Sequence, residues 1–252
     1  MSDGVTEAVI LMAGSGSRLS NGDKKRLKPL IQLLGRPVIS YTLEALAGAG
    51  IEIVYAVIGF EGGALRAGLA PWVPAKIDIR WIDNPEWQLQ NGVSALAAAP
   101  HVSAPFLLTM GDHLFDPAIV DLLLRESQPD RLNVAIDRKL DSIFDLEDAM
   151  KVRMDGARVI ALGKDLRHYN AIDTGLFLCS PLIFGYLDKA KVNGDCSLAD
   201  GVRAMAEEGL VRGIDIGAAW WQDIDTPQML ARAQEHFTSR QPAVVSERAT
   251  GR

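Results

Sequence analysis

Short apolar runs alternate with amphipathic stretches over the first 110 residues of the chain. Runs of strand length occur at 8–12, 53–58, 77–82 and 106–110, and helical periodicity predicts helices over 37–47, 61–69 and 93–99. Pro37 is expected in a first helical turn, where its missing N–H is no loss. Such alternation predicts a mainly parallel sheet covered on both faces, with ligands bound beyond the carboxyl ends of its strands. The second half is patterned differently. Two runs, 151–154 and 158–162, flank Asp155-Gly156, a strong hairpin signal, and further strands are expected at 172–179 and 211–216 before a final helix over 226–237. These pieces predict an antiparallel extension of the same sheet. Residues 1–238 are therefore expected to form one domain. The polar, aperiodic residues 239–252 are expected to be a flexible C-terminal tail.

The first strand runs into Ala13-Gly14-Ser15-Gly16-Ser17-Arg18, and a lysine-rich loop then leads to Lys28-Pro29-Leu30. Glycines here let the backbone approach a ligand, and the exposed N–H groups of such a turn suit phosphate oxygens. Arg18 and Lys28 supply positive charge for a triphosphate. Leu19 stands where a dinucleotide fingerprint needs its third glycine, and Leu19-Ser20-Asn21 provides no Gly-Lys-Ser/Thr for a Walker A loop. The stretch predicts a nucleotide phosphate loop of another kind.

Two acidic motifs follow strand-like segments. Gly111-Asp112-His113 comes directly after the run at 106–110. Trp221-Gln222-Asp223-Ile224-Asp225-Thr226-Pro227 precedes the last helix. Asp225 or Thr226 fits a helix cap, which leaves Asp223 free, and Asp112 with Asp223 would suffice for Mg²⁺ completed by phosphate and water. His113 fits a group that orients a neighbouring carboxylate.

Composition narrows the function further. The 252 residues are 48% hydrophobic and 23% charged, as in ordinary globular enzymes. A formal net charge of −6 argues against a nucleic-acid partner. No apolar run is long enough to span a bilayer, no basic-then-apolar leader is apparent, and Cys179 and Cys196 have no metal or redox spacing. A cytoplasmic protein with buried thiols is expected.

With these motifs in view, the chain up to about Phe237 resembles the inositol-1-phosphate cytidylyltransferase group of the nucleotidyltransferase superfamily, among the sugar-phosphate and MobA-like NTP transferases. The resemblance also runs through Asn84-Pro85, Asn91-Gly92-Val93-Ser94, Ala149-Met150-Lys151-Val152, Gly163-Lys164 and Asn170-Ala171-Ile172-Asp173-Thr174-Gly175, in that order. It implies a three-layer α/β/α Rossmann-like fold with a mostly parallel mixed sheet. It further implies transfer of CMP from CTP to a phosphorylated polyol such as inositol 1-phosphate, with release of pyrophosphate. Ala13, Gly14, Ser15, Gly16, Ser17, Asn91, Gly92 and Ser94 would bind the nucleotide, and Arg18 and Lys28 would be catalytic. Lys151, Lys164, Asp173 and Gly175 would face the acceptor, and Asp112 and Asp223 would hold Mg²⁺. Alternatives are a hexose- or heptose-1-phosphate nucleotidylyltransferase using GTP or UTP, and a cytidylyltransferase acting on a phosphonate or alkyl phosphate. A glycosyltransferase of related architecture would explain Asp223-Ile224-Asp225 but has no use for the triphosphate loop. A homodimer is an open expectation. Relatives of this group are often fused to a membrane phosphotransferase, so a separate CDP-alcohol phosphotransferase is the implied user of the product.

Overall fold

The computed structural model describes residues 4–16 and 27–240. The elements in chain order are β1 (Glu7–Met12), β2 (Gln32–Leu33), β3 (Arg36–Pro37), α1 (Val38–Gly48), β4 (Ile53–Ile58), α2 (Gly62–Leu69), β5 (Asp78–Asp83), α3 (Asn91–Ala97), β6 (Phe106–Met110) and β7 (His113–Phe115). There follow α4 (Pro117–Glu126), β8 (Leu132–Asp137), β9 (Lys151–Asp155), β10 (Arg158–Gly163), β11 (Ala171–Cys179), α5 (Leu182–Ala190), α6 (Leu198–Glu207), β12 (Val211–Asp215), β13 (Trp221–Asp223) and α7 (Pro227–Arg240).

Nine strands form one sheet in the order β5-β4-β1-β6-β11-β8-β12-β10-β9. The strands β5, β4, β1 and β6 are parallel neighbours, as are β8 and β12. Strand β11 runs antiparallel between β6 and β8, and the β9–β10 hairpin turns through Gly156 (φ 56°). Alternation along β1 divides the core between the two faces. Val9 and Leu11 pack with α3, α5 and α6, while Ala8, Ile10 and Met12 pack with α1, α2 and α4. A third, smaller cluster joins Leu33, Val38, Leu114 and Ile224 to Ala233 of α7. This is the expected three-layer α/β/α fold with a mostly parallel mixed sheet and an antiparallel extension.

Some local expectations change. Pro37 is not in the first turn of α1. It ends β3, paired with Gln32, because Leu34 and Gly35 both adopt positive φ (50° and 80°) and fold the chain into a tight two-residue hairpin just before the helix. Helix α3 begins two residues earlier than expected, at Asn91. Ser239 and Arg240 continue α7 rather than starting a tail. Cys179 and Cys196 are buried and free.

A separate two-stranded ribbon, β7 with β13, lies outside the main sheet. It pairs Trp221 with Phe115, Gln222 with Leu114, and Asp223 with His113. Asp116 and Ile224 extend it, their N–H groups donating to the carbonyls of Trp220 (2.9 Å) and Asp112 (2.9 Å). The Thr42 hydroxyl ties it to α1 by donating to the His113 carbonyl at 2.8 Å.

Helix α6 starts on a reciprocal cap. The Ser197 hydroxyl oxygen accepts from the Asp200 N–H at 3.2 Å, and the Asp200 carboxylate accepts from the Ser197 N–H at 2.8 Å. Ser197→Ala should lower unfolding free energy by about 0.5–2 kcal/mol, read from urea denaturation; an unchanged midpoint would contradict this role for the cap.

Candidate active site

The site forms where β1 and β6 end side by side, with Leu11 in register with Met110. The chain after β6 must turn sharply over Met12 and Pro29, and Gly111 permits it. A Cβ there would lie 2.4 Å from the Met12 Cγ and 3.0 Å from the Pro29 Cγ. That close approach sets Asp112 beside Lys28. The Lys28 ammonium donates to Asp112 Oδ2 at 3.0 Å and to Asp225 Oδ1, so one cation joins two carboxylates far apart in sequence. His113 Nδ1 meets Asp112 Oδ1 at 2.8 Å, the orienting contact expected of this histidine. The ribbon register sets Asp223 opposite His113 and thus beside Asp112. Thr226 takes the capping role, accepting from the Met229 N–H at 3.2 Å, while Asp225 turns to Lys28.

The charges respond to one another. Burial disfavours the Asp112 carboxylate, but the His113 hydrogen bond and the charges of His113 and Lys28 outweigh it and hold its pKa well below the usual range. Burial also opposes the Lys28 charge. Asp112 and Asp225 reverse the balance and raise its pKa. His113 is raised in the same way, chiefly by Asp112, while Asp223 is pushed upward by burial and by the nearby Asp225 and Asp112. Among the described residues no three His, Cys, Asp or Glu side chains converge to hold an ion unaided. Asp112 and Asp223 offer carboxylate oxygens, with Asp225 held by Lys28 and His113 turned to Asp112, which fits a hard cation such as Mg²⁺ that takes one or two carboxylates and completes its shell with phosphate and water.

A cavity of about 940 Å³ opens beside this cluster. Lys28, Asn91, Asp112, Lys164, Asp173, Gly175 and Asp223 all line it. Gly175 has φ 75°, and a Cβ on it would lie 2.4 Å from two atoms of the His113 ring, so this glycine makes room for the histidine. The Asp173 carboxylate accepts from the Gly175 N–H at 2.8 Å. The remaining expected residues are more dispersed. The Asn91 side-chain oxygen accepts from the Leu198 N–H (2.8 Å), and Gly92 abuts the backbone of Cys196 and Ser197, where a Cβ would approach the Cys196 oxygen to 2.6 Å. Ser94 is buried and accepts from the Asn84 amide at 3.0 Å. The Lys151 ammonium donates to the Glu147 and Lys164 carbonyls (2.9 and 2.7 Å) and is not among the cavity-lining residues, while Lys164 pairs with Asp148 at 2.6 Å. Ala13, Gly14, Ser15 and Gly16 follow β1 at the same rim, with the Ala13 carbonyl accepting from Phe60 N–H. Ser17 and Arg18 lie outside the described residues.

Sequence reasoning left the role of Asp225 between helix cap and free carboxylate, and did not single out Phe144 or Arg232, which also line the cavity. A second acidic residue two positions after Asp223 shares its face of an extended segment, a signal available from the alternation of strand side chains. Arg232 lies on the polar face of a helix, with nothing in its sequence context to indicate a cleft.

The fold, with acidic residues gathered at the ends of its central strands, is that of a nucleotidyltransferase enzyme. The MobA-like NTP transferase domain matches residues 8–186, and the chain belongs to that nucleotidyltransferase family. Over 90% of its length it is 34% identical to a bifunctional IPC transferase and DIPP synthase of Rubrobacter xylanophilus, and over 92% it is 30% identical to the protein so named in Archaeoglobus fulgidus. It spans about half of each, 51% and 44% respectively. The inositol-1-phosphate CTP transferase of T. maritima has a similar structure, with a TM-score of 0.81, 25% identity, and coverage of 94% of this chain and 97% of that one.

Burial pushes Asp173 up to about 6, against the Gly175 N–H and the His113 charge. The folded state then holds this proton more tightly than the unfolded chain, where the group titrates at about 3.9. Its stabilising contribution is present in full below that value and is lost as pH rises through about 6. Asp173→Asn should therefore stabilise the fold by about 3 kcal/mol at pH 7.5 and by less than about 1 kcal/mol at pH 4, measured by urea unfolding at both values. Equal effects at the two pH values would refute the assignment.

Proposed function

We propose that this enzyme transfers CMP from CTP to a hydroxylated phosphomonoester of the inositol 1-phosphate kind, releasing pyrophosphate. The observation that carries the reading is the Lys28 ammonium shared by Asp112 and Asp225 at the joint carboxyl ends of β1 and β6. The names of the similar proteins favour CTP and inositol 1-phosphate as the pair.

A phosphomonoester is largely a dianion at neutral pH, its second pKa being about 6. Its oxygen attacks the α-phosphorus in line, the new P–O bond forms, the bond to the β-phosphate oxygen breaks, and pyrophosphate departs. No general base is required. Catalysis then rests on alignment and charge neutralisation. The backbone of Ala13, Gly14, Ser15 and Gly16, with Ser17 and Arg18 beyond the described residues, would receive the β- and γ-phosphates. Lys28 would move from its carboxylates to the α-phosphate. Asn91, Gly92 and Ser94 would border the base and ribose. Asp173 would accept from acceptor hydroxyls beside Gly175, with Lys151 and Lys164 on the acceptor side. Asp112 and Asp223 would hold Mg²⁺, which when bound supplies charge that offsets repulsion between the two phosphates. Asp112→Asn and Asp223→Asn should each reduce turnover by about a hundredfold or more while both variants remain folded at assay temperature by circular dichroism. Full Mg²⁺-dependent turnover in both variants would remove this site.

Sugar-1-phosphate transfer is the second reading, since the same phosphate loop and carboxylates would serve it and Asp173 could equally meet sugar hydroxyls. Pyrophosphate release, measured for CTP, UTP, GTP and ATP crossed with inositol 1-phosphate, glucose 1-phosphate, an alkyl phosphate and a phosphonate, separates the two. The expected best pair is CTP with inositol 1-phosphate. A better rate with UTP or GTP for every acceptor would overturn the cytidylyl assignment.

A further inference from the structure

Five lysines and arginines whose side chains are described line the cavity, and four of them already have carboxylates. Lys28 is held by Asp112 and Asp225, Lys139 by Asp137 at 2.8 Å, Lys164 by Asp148 at 2.6 Å, and Arg203 by Asp200 at 2.9 Å. The fifth is Arg232, which makes no ion pair among the described residues. Its guanidinium carbon instead lies 4.9 Å from the centroid of the Phe144 ring. Phe144 is 44% exposed, a high value for so large an apolar side chain. An aromatic face beside a guanidinium restrains its orientation yet leaves its N–H donors unused. The pair lines the cavity that, on the proposed function, receives an anionic acceptor.

Its place in the sheet indicates which anion. Phe144 belongs to the segment joining β8 to β9, and β8 lies three strands from β1 in the sheet order. Three spacings amount to about 14 Å, the separation between β1 and the strand from which this segment departs. The same segment carries Met150, and Asp173 and Gly175 at the start of β11 border the same cavity. Arg232 approaches from the other direction, about one and a half turns into α7, downstream of Asp223 and Asp225.

We infer that Arg232, oriented by Phe144, binds the phosphate of the acceptor and sets its affinity. The inference rests on the nucleotidyltransferase reading above and on an acceptor of the inositol 1-phosphate or glucose 1-phosphate kind, but not on the base. A guanidinium can grip two phosphate oxygens at once and leave the third to attack, whereas an ammonium meets the group as a point charge. Phe144 then serves as a positioning residue, and the acceptor is an anionic phosphomonoester rather than a neutral alcohol.

Initial rates of wild type, Arg232→Gln, Arg232→Lys and Phe144→Leu, with CTP and inositol 1-phosphate each varied, give the test. Arg232→Gln should raise KM for inositol 1-phosphate by about tenfold to a hundredfold, with KM for CTP within about twofold of wild type. Arg232→Lys should recover part of the loss, and Phe144→Leu should shift the same KM by a smaller factor. Parallel rises in both KM values, or no rise in either, would overturn the inference. If the wild type instead works best with UTP and glucose 1-phosphate, the cytidylyl proposal fails, and the same divergence is then required with that pair. Calorimetric titration with inositol 1-phosphate and with glucose 1-phosphate removes the dependence on turnover. Equal affinity in wild type and Arg232→Gln, or binding of neither ligand by the wild type, overturns the assignment.

Discussion

Like charges cannot be gathered at one strand end without a cation to hold them, and here Lys28 does so. Asp112 and Asp225 both meet its ammonium, and Asp223 lies beside them in the ribbon. The surrounding architecture makes this possible. Gly111 lets the chain after β6 pass over Met12 and Pro29, Pro29 fixes the approach of Lys28, and β7 pairs with β13 so that residues from two ends of the sequence share one rim. A shift of one residue in that short pairing would turn Asp223 to the opposite face. The Thr42 bond to the His113 carbonyl and the Leu114–Ile224 cluster over α7 oppose such a shift.

The described cations of the site fall into two groups. Lys28, Lys139, Lys164 and Arg203 are neutralised locally and shape the cavity by ion pairs. Arg232 is held by a ring. The first group can yield its partners to incoming phosphate only by exchanging one anion for another. The second gains a partner outright. The net charge of −6 is compatible with anionic substrates because charge near the strand ends is arranged residue by residue.

Much of the sheet was legible because its strands are apolar runs that stop at glycine or charge. β1, β4 and β6 read almost to their boundaries, and Asp155-Gly156 announced the hairpin. β8 is absent from the strands expected of the sequence because Asn133 and Asp137 interrupt its run. Both are buried, with the Asn133 amide donating to the Gln128 carbonyl and Asp137 accepting from the Trp221 indole and Lys139. Local pattern carries no information about such distant satisfaction. The β7–β13 ribbon is three residues on each side and wholly non-local, so the sequence offers Asp112 and Asp223 only as residue types in motifs, with nothing local to bring them together. Asn91, Gly92 and Ser94 stood out as special positions, and the structure adds that they also support the start of α6 and the Asn84 contact. Lys151 and Lys164 illustrate the opposite limit, since spacing cannot say whether a lysine reaches a ligand or folds back on a neighbouring carbonyl.

The reversal of β11 has a wider consequence. Because it runs against β6 and β8, its first residues come to the rim at which those strands end. The cleft is thus bordered on one side by segments that leave parallel strands and on the other by the beginning of an antiparallel one. The two borders belong to separate stretches of chain. On the proposed function, changes in the hairpin and in the entry to β11 would alter the choice of alcohol phosphate and leave the triphosphate side unchanged.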